Sequence, residues 1–128
     1  MSGGRRPLVL LVDDEPRILS ALQRALRREG YTLLTAETSD EALRLVDEHE
    51  IDCILSDFKM PGLTGVQLLA EVAQRRPDAA RLLITGWNVE IPQDELERVG
   101  VFRVMAKPWD DAELKQTLRA ALGLAAES

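Results

Sequence analysis

Two hydrophobic periodicities alternate along the chain. Continuous apolar runs, of which LVLLV at positions 8–12 is the clearest, predict strands that are buried on both faces. Between these runs, apolar residues recur at the spacing of a helix, as they do from Pro16 until Gly30, the expected stop. Strands are predicted at 8–12, 31–37, 51–57, 81–85 and 101–106. The pattern thus predicts five strand–helix units.

Local signals mark where the predicted helices begin and end. Thr38 with Glu41, and Asp110 with Glu113, have the spacing of a capping box, in which the first side chain accepts a hydrogen bond from the backbone of the second residue. The loop 60–65 separates the third strand from its helix, and a short helix is expected at about 92–99. Alternating strands and helices with short connections predict a parallel sheet with helices on both faces, formed by one domain.

Composition restricts the class of protein. The chain has 128 residues and a formal net charge of −6, which disfavours direct binding of nucleic acid. Its one cysteine, Cys53, is expected to be buried and unpaired, as suits a reducing cytoplasmic setting. His49 has no second histidine or cysteine nearby, which disfavours a zinc site. No apolar run is long enough to cross a membrane, so no membrane partner is expected.

Polar residues stand where the predicted strands end. Ligands of parallel α/β sheets bind outside the carboxyl ends of the strands. The first, third, fourth and fifth strands end at Asp13-Asp14, Ser56-Asp57, Thr85-Gly86 and Lys107-Pro108. Carboxylates at one edge repel each other, and a hard cation such as Mg²⁺ removes the conflict. Glu15 is instead expected in the first turn of the following helix, where the helix dipole favours an acid.

This set of residue types suits phosphoryl transfer. In that chemistry, positioning and charge neutralisation carry most of the catalysis, and a carboxylate can itself act as the nucleophile and form an aspartyl phosphate. A lysine and a threonine hydroxyl at neighbouring strand ends would supply a positive charge and a hydrogen-bond donor. Each residue also has an ordinary structural interpretation, such as helix capping by Asp13, but these interpretations do not explain the set.

Four segments, LVDDEP, LSDFKMPGLTG, LLITG and VMAKPW, resemble the receiver domains of bacterial two-component response regulators. The resemblance covers residues 8–122 and leaves 1–7 as a flexible N-terminus and 123–128 as a C-terminal tail. It implies a flavodoxin-like (βα)5 fold with five parallel strands in the order 2-1-3-4-5. It also implies a cis peptide bond between Lys107 and Pro108.

The resemblance assigns a role to each matching position. Asp57 would accept a phosphoryl group from the phosphohistidine of a sensor histidine kinase or phosphotransfer protein. Mg²⁺ would be held by Asp13, Asp14, Asp57 and the backbone carbonyl of Lys59. Lys107 would pair with Asp57 and then with the phosphoryl group, and Thr85 would move to bond a phosphoryl oxygen. The domain would then be a regulator that catalyses only its own phosphorylation and dephosphorylation.

The sequence departs from the family pattern at the position three residues before Lys107. Many receivers carry an aromatic residue there that swings inward when the threonine moves, whereas this chain has Val104. Switching would then depend on Thr85, the loop 86–91 and the short fourth helix. The output face, and a possible homodimer contact, would be formed by the fourth helix, fifth strand and fifth helix.

Three further positions extend these expectations. Lys59 and Trp87, each two residues after a site residue, are expected to tune the lifetime of the phosphoryl group by shielding it from water. For Trp87, simple packing on the loop is an equally good explanation. Trp109 extends the last motif to KPW, which hints at an effector of the cyclic-di-nucleotide phosphodiesterase or hybrid kinase type. A tryptophan that simply covers the start of the last helix explains Trp109 equally well.

Other functions remain open on this fold. A Mg²⁺-dependent phosphatase with an aspartyl nucleophile typically has a second acid two residues after the first, but Lys59 occupies that position. A nucleotide- or flavin-binding domain is disfavoured, because the sequence contains neither G-x-G-x-x-G nor G-x-x-x-x-G-K-[ST]. A receiver-like interaction module without phosphotransfer is the remaining alternative, and the intact set of acids and lysine argues against it.

Overall fold

The computed structural model describes residues 6–86 and 89–124. Strands and helices alternate as predicted, and the five strands are parallel in the order β2-β1-β3-β4-β5. The strands are β1 Leu8–Val12, β2 Thr32–Ala36, β3 Cys53–Asp57, β4 Ala80–Gly86 and β5 Val101–Lys107. The helices are α1 Pro16–Leu26, α2 Ser39–Glu48, α3 Gly65–Arg75, α4 Gln93–Val99 and α5 Asp111–Ala121. The predicted topology is confirmed.

The sheet is covered on both faces, so successive strand residues enter different cores. Leu10 and Val12 of β1 belong to one core with α2 and α3, whereas Val9 and Leu11 belong to the other with α1 and α5. All four side chains are buried because β1 lies inside the sheet, between β2 and β3, with helices on both faces. The uninterrupted apolar run at residues 8–12 is the sequence signature of this position.

Both predicted capping positions are confirmed, with one difference. Thr38 Oγ1 accepts a hydrogen bond from the backbone N–H of Glu41 at 3.0 Å, and Asp110 Oδ1 accepts one from Glu113 at 3.0 Å. The side chain of Glu41 accepts from the backbone of Glu37 rather than from Thr38. A complete capping box lies elsewhere, at the start of α3, where Thr64 and Gln67 bond each other reciprocally.

Two expectations about α1 are wrong. The helix ends at Leu26 rather than at Gly30, because the backbone then forms tighter turns, with bonds from Arg27 N to Arg24 O and from Glu29 N to Leu26 O. Glu15 is the N-cap residue and not part of the first turn. Pro16 occupies the first helical position, and a residue before proline is held in an extended conformation.

The edge strand β5 is irregular. Its pairing with β4 shifts between Arg81 and Leu82, so that Val101 and Arg103 face consecutive residues and Phe102 is the extra residue of a bulge. Phe102 and Val104 are exposed. The predicted ends, 1–7 and 123–128, fall mainly outside the described residues. None of the helices within 6–86 and 89–124 is long and apolar enough to cross a membrane.

Candidate functional site

Parallel pairing brings the polar strand ends to one edge of the sheet. Asp13 directly follows β1, and Asp57 and Lys107 are the last residues of β3 and β5. Lys107 pairs with Gly86 at the end of β4, next to Thr85. Because β1, β3, β4 and β5 are consecutive neighbours in the sheet, their carboxyl ends form one continuous edge.

Three carboxylates cluster at this edge. Asp13, Asp14 and Asp57 each offer an oxygen, and these oxygens all lie within 4.8 Å of one another. Asp13 is fully buried and Asp57 is 6% exposed, whereas Asp14 is exposed. Asp13 is held in place by the backbone N–H of Glu15, which donates to its Oδ1 at 2.9 Å. Close, partly buried like charges cost free energy unless a cation compensates them.

Lys107 supplies part of the compensation. Its Nζ lies 2.9 Å from Asp13 Oδ2 and 3.2 Å from Asp57 Oδ1, so the one ammonium group bridges two of the acids. Three carboxylates and one lysine leave a formal charge of −2. One divalent cation balances that charge, and a set of carboxylate oxygens is the donor type that Mg²⁺ prefers. The residues of the cluster therefore fit a magnesium ion.

The same environment shifts two protonation equilibria. Burial raises the pKa of Asp57, the charges of Asp13 and Asp14 raise it further, and pairing with Lys107 lowers it in part. Burial lowers the pKa of Lys107, but its pairing with Asp13 and then with Asp57 outweighs burial, and the net pKa is raised. Lys107 thus stays charged, while the ionised form of Asp57 is disfavoured in the metal-free cluster.

A cavity of about 330 Å³ opens over the cluster. It is lined by Asp14, Glu15, Asp57, Lys59, Thr85, Gly86, Val89 and Lys107. The cavity therefore brings together the predicted nucleophile, lysine and threonine with one of the two positions expected to tune lifetime. Glu15 and Val89 line it as well, and the motifs had not assigned either of them to the site.

The remaining predicted positions lie at or beyond the margin of the site. The peptide bond between Lys107 and Pro108 is cis, as predicted. Val104 is 36% exposed on β5. Trp109 donates from its indole nitrogen to Asp111 at 3.0 Å and packs beside the core formed by α1 and α5, so it covers the start of α5. Trp87 lies outside the described residues.

Comparison with known proteins agrees with this geometry. The family model of the response regulator receiver domain matches residues 9–119. The hydrogenase transcriptional regulatory protein HoxA of Cupriavidus necator is 38% identical over 119 residues, which are 92% of this chain and 24% of that protein. The transcriptional regulator NtrC of Salmonella typhimurium is 31% identical over 118 residues, 92% of this chain and 25% of NtrC. The chain spans about a quarter of the length of these relatives.

Solved structures show the same similarity. The signal receiver domain of an HD domain-containing protein from Pseudomonas fluorescens has a TM-score of 0.85 at 36% identity, covering 93% of this chain and 96% of that one. A CheY-like receiver domain from Methanospirillum hungatei has a TM-score of 0.87 at 25% identity, covering 93% and 95%. With its fold, its acidic strand ends and its matching family model, the chain belongs to the response regulator receiver domain family.

Proposed function

We propose that this domain accepts a phosphoryl group on Asp57 from the phosphohistidine of a sensor histidine kinase or a phosphotransfer protein. The observation that carries the proposal is the cluster of Asp13, Asp14 and Asp57 with Lys107 bridging two of its members. A carboxylate oxygen of Asp57 attacks phosphorus and forms an acyl phosphate. The phosphorus–nitrogen bond of the donor breaks, and the imidazole leaves with the electron pair.

The residues that would hold Mg²⁺ are the carboxylates of Asp13, Asp14 and Asp57 and the backbone carbonyl of Lys59. When bound, the cation neutralises the acids and the phosphoryl oxygens. The Lys107 ammonium group, 3.2 Å from Asp57 Oδ1, is placed to stabilise negative charge on the transferred group. The hydroxyl of Thr85, in the same cavity, donates to a phosphoryl oxygen and couples the chemistry to the end of β4.

The modification is reversed by water, which makes the domain a timed switch rather than a conventional enzyme. Two side chains are proposed to set its lifetime by shielding the acyl phosphate, namely Lys59, which lines the cavity, and Trp87. Removing either side chain by substitution with alanine should accelerate loss of a phosphoryl label. An unchanged rate of loss would remove that residue from the list of lifetime determinants.

The signal is proposed to leave through the surface formed by α4, β5 and α5. With Val104 in place of an aromatic residue, switching relies on Thr85 and α4. HoxA and NtrC are transcriptional regulators about four times longer than this chain, which supports an output region on a longer polypeptide or on a separate protein. We also propose that the domain acts in the cytoplasm and that two copies can pair through the α4–β5–α5 surface.

Two other functions are distinguishable from this one. An aspartyl-nucleophile phosphatase would turn over an external phosphate ester, and a module without phosphotransfer would never carry a label. The test is incubation with acetyl phosphate and Mg²⁺, with the phosphoryl content measured by intact mass. We expect one phosphoryl group per wild-type chain when Mg²⁺ is present. We expect none when EDTA replaces Mg²⁺ during the reaction, and none on the Asp57→Asn variant. No label with Mg²⁺ present, or undiminished labelling of Asp57→Asn, would contradict the proposal.

A further inference from the structure

Three hydrogen bonds outside the acid cluster hold the main chain of Asp57 and Phe58 in place. The hydroxyl of Ser56 donates to the carbonyl oxygen of Asp57 at 2.9 Å. The backbone N–H of Phe58 donates to Ile84 O at 3.0 Å, and that of Gly65 donates to Phe58 O at 2.8 Å. These bonds join the end of β3 to its own serine, to β4 and to the first residue of α3. The main chain that carries the Asp57 side chain is therefore restrained from three directions.

Gly65 is required at this point for space. A Cβ atom added there would lie 2.3 Å from Asp57 O, 2.9 Å from Phe58 Cα and 2.7 Å from Leu83 Cδ1, closer than real Cβ atoms approach. The φ angle of Gly65 is not positive, so its backbone conformation alone does not demand glycine. Glycine allows the start of α3 to rest directly against the phosphoacceptor peptide.

Ser56 also restrains the main chain of Asp57. It is fully buried, and its hydroxyl bonds to the residue that follows it rather than to the acid cluster. A buried hydroxyl is retained at low cost only when it is hydrogen-bonded. Neither Ser56 nor Gly65 lines the cavity over the acids, so any influence on the chemistry passes through the backbone of Asp57.

We propose that Ser56 and Gly65 are positioning residues, which set the main chain of Asp57 so that its carboxylate meets the phosphodonor and the metal in the reactive orientation. This inference rests on the proposed phosphotransfer. Reactions of positioned groups are sensitive to small displacements, and an error of about 1 Å can reduce a rate by about 100-fold. A Cβ atom at position 65 must displace either the Asp57 carbonyl or α3, because backbone atoms cannot give way as a flexible side chain does.

The test compares Gly65→Ala and Ser56→Ala with wild type and with Val46→Ala. Val46 is fully buried in α2, within the same core as α3, and is absent from the lining of the acid cavity, so its substitution reports the effect of lost stability alone. The maximal labelling rate, the acetyl phosphate concentration at half-maximal rate and the Mg²⁺ affinity are measured below the melting transition of every variant. A merely structural role would lower only the melting temperature.

For Gly65→Ala we expect the maximal rate to fall at least about tenfold and Mg²⁺ affinity to weaken, with the half-saturating acetyl phosphate concentration little changed. Ser56→Ala should lose about threefold to tenfold in maximal rate, and Val46→Ala should stay within about twofold of wild type. Gly65→Ala combined with Leu83→Ala should remain slow, since removing the Leu83 side chain leaves the contact with Asp57 O.

Maximal labelling rates within twofold of wild type for both Gly65→Ala and Ser56→Ala would overturn the inference. A wild-type labelling rate in the double variant, Gly65→Ala with Leu83→Ala, would also overturn it. If Gly65→Ala does not fold, the labelling rate of Ser56→Ala alone tests the inference. That substitution removes only the hydroxyl oxygen and adds no atom that could clash. A wild-type chain that takes no label would instead refute the proposed phosphotransfer, and this inference would fail with it. The two failures are thus separated by the behaviour of the unmodified protein.

Discussion

Strands β3 and β5 each end in a residue of the site, but they differ in almost every other respect. All five residues of β3, Cys53–Asp57, are buried, and the strand is paired on both edges, with β1 and with β4. In β5, Met105 is the one buried residue of Val101–Lys107, and the strand is paired with β4 alone. The proposed acceptor, Asp57, thus lies at the end of the most buried strand, and Lys107 lies at the end of the most exposed one.

This difference matches the tasks that the two residues would perform. A nucleophile must be held in one orientation, and the two neighbouring strands together with Ser56 and Gly65 hold Asp57. In the proposed reaction, Lys107 would pair with different groups before and after phosphorylation, and it bridges Asp13 and Asp57 in the structure. An edge strand with a bulge at Phe102 has fewer contacts to lose when it adjusts. The comparison predicts a rigid acceptor beside an adaptable cation.

The largest expected effect is the loss of stability when a buried residue of β3 is truncated. Leu55 is fully buried, and Leu55→Ala should lower the free energy of unfolding by about 2–5 kcal/mol, because it removes packed methyl groups and leaves a cavity. Val104→Ala on the edge strand should change it by less than about 1 kcal/mol. Urea unfolding of both variants measures the difference. Equal losses would mean that exposure does not distinguish the two strands.

A second prediction uses the metal. If Mg²⁺ binds the folded acid cluster, it should stabilise the wild-type protein by about 2.7 kcal/mol at one hundred times its Kd. Asp13→Asn should lose most of this gain, since it removes a carboxylate that lies in the cluster with Asp14 and Asp57. Thermal melts with and without Mg²⁺ provide the measurement. A melting temperature unchanged by millimolar Mg²⁺ would speak against the proposed site.

A third prediction concerns repulsion within the cluster. Without metal, Asp57→Asn should raise the free energy of unfolding at pH 7, on the order of 1 kcal/mol. The reason is that it removes a buried charge that desolvation and Asp13 disfavour. Urea unfolding in EDTA measures the change. A destabilised variant would show that the pairing with Lys107 outweighs the repulsion from the acids.

The smallest expected effect is the pH dependence of the difference in free energy of unfolding between Asp57→Asn and wild type. The folded-state pKa of Asp57 is raised above its ordinary value of 3.8, so ionisation of Asp57 costs stability. The cost is fully present above the folded-state pKa and disappears as the pH falls through that value toward 3.8. The advantage of Asp57→Asn in EDTA should therefore shrink on acidification. An advantage that grows as the pH falls would contradict the direction assigned to this pKa.

The sequence predicts the enclosed part of the molecule better than its edge. The burial of β1 follows from its apolar run, and the meeting of Asp13, Asp57 and Lys107 follows from the parallel direction of the strands, which places their carboxyl ends at one edge. The order of the strands follows only from the resemblance to receiver domains. The bulge at Phe102 could not be foreseen, because it depends on how β5 is paired with β4 rather than on any local pattern.

Features set by neighbouring residues are also easier to predict than features set by contacts between distant segments. The capping box of Thr64 and Gln67 has a recognisable spacing and could have been predicted from the sequence. The end of α1 at Leu26 and the N-cap position of Glu15 differ from expectation by only a few residues. The contact that makes glycine necessary at position 65 joins α3 to β3 across a loop, and no sequence pattern specifies such an approach.

The central claim is that the carboxylate at the end of the most enclosed strand is the acceptor. The measurement that tests it most directly is mapping of the label by peptide mass spectrometry after reaction with acetyl phosphate and Mg²⁺. We predict a single phosphoryl group on the peptide that contains Asp57, with none on peptides that contain Asp13 or Asp14. A label on another carboxylate, or one distributed over several, would contradict the account.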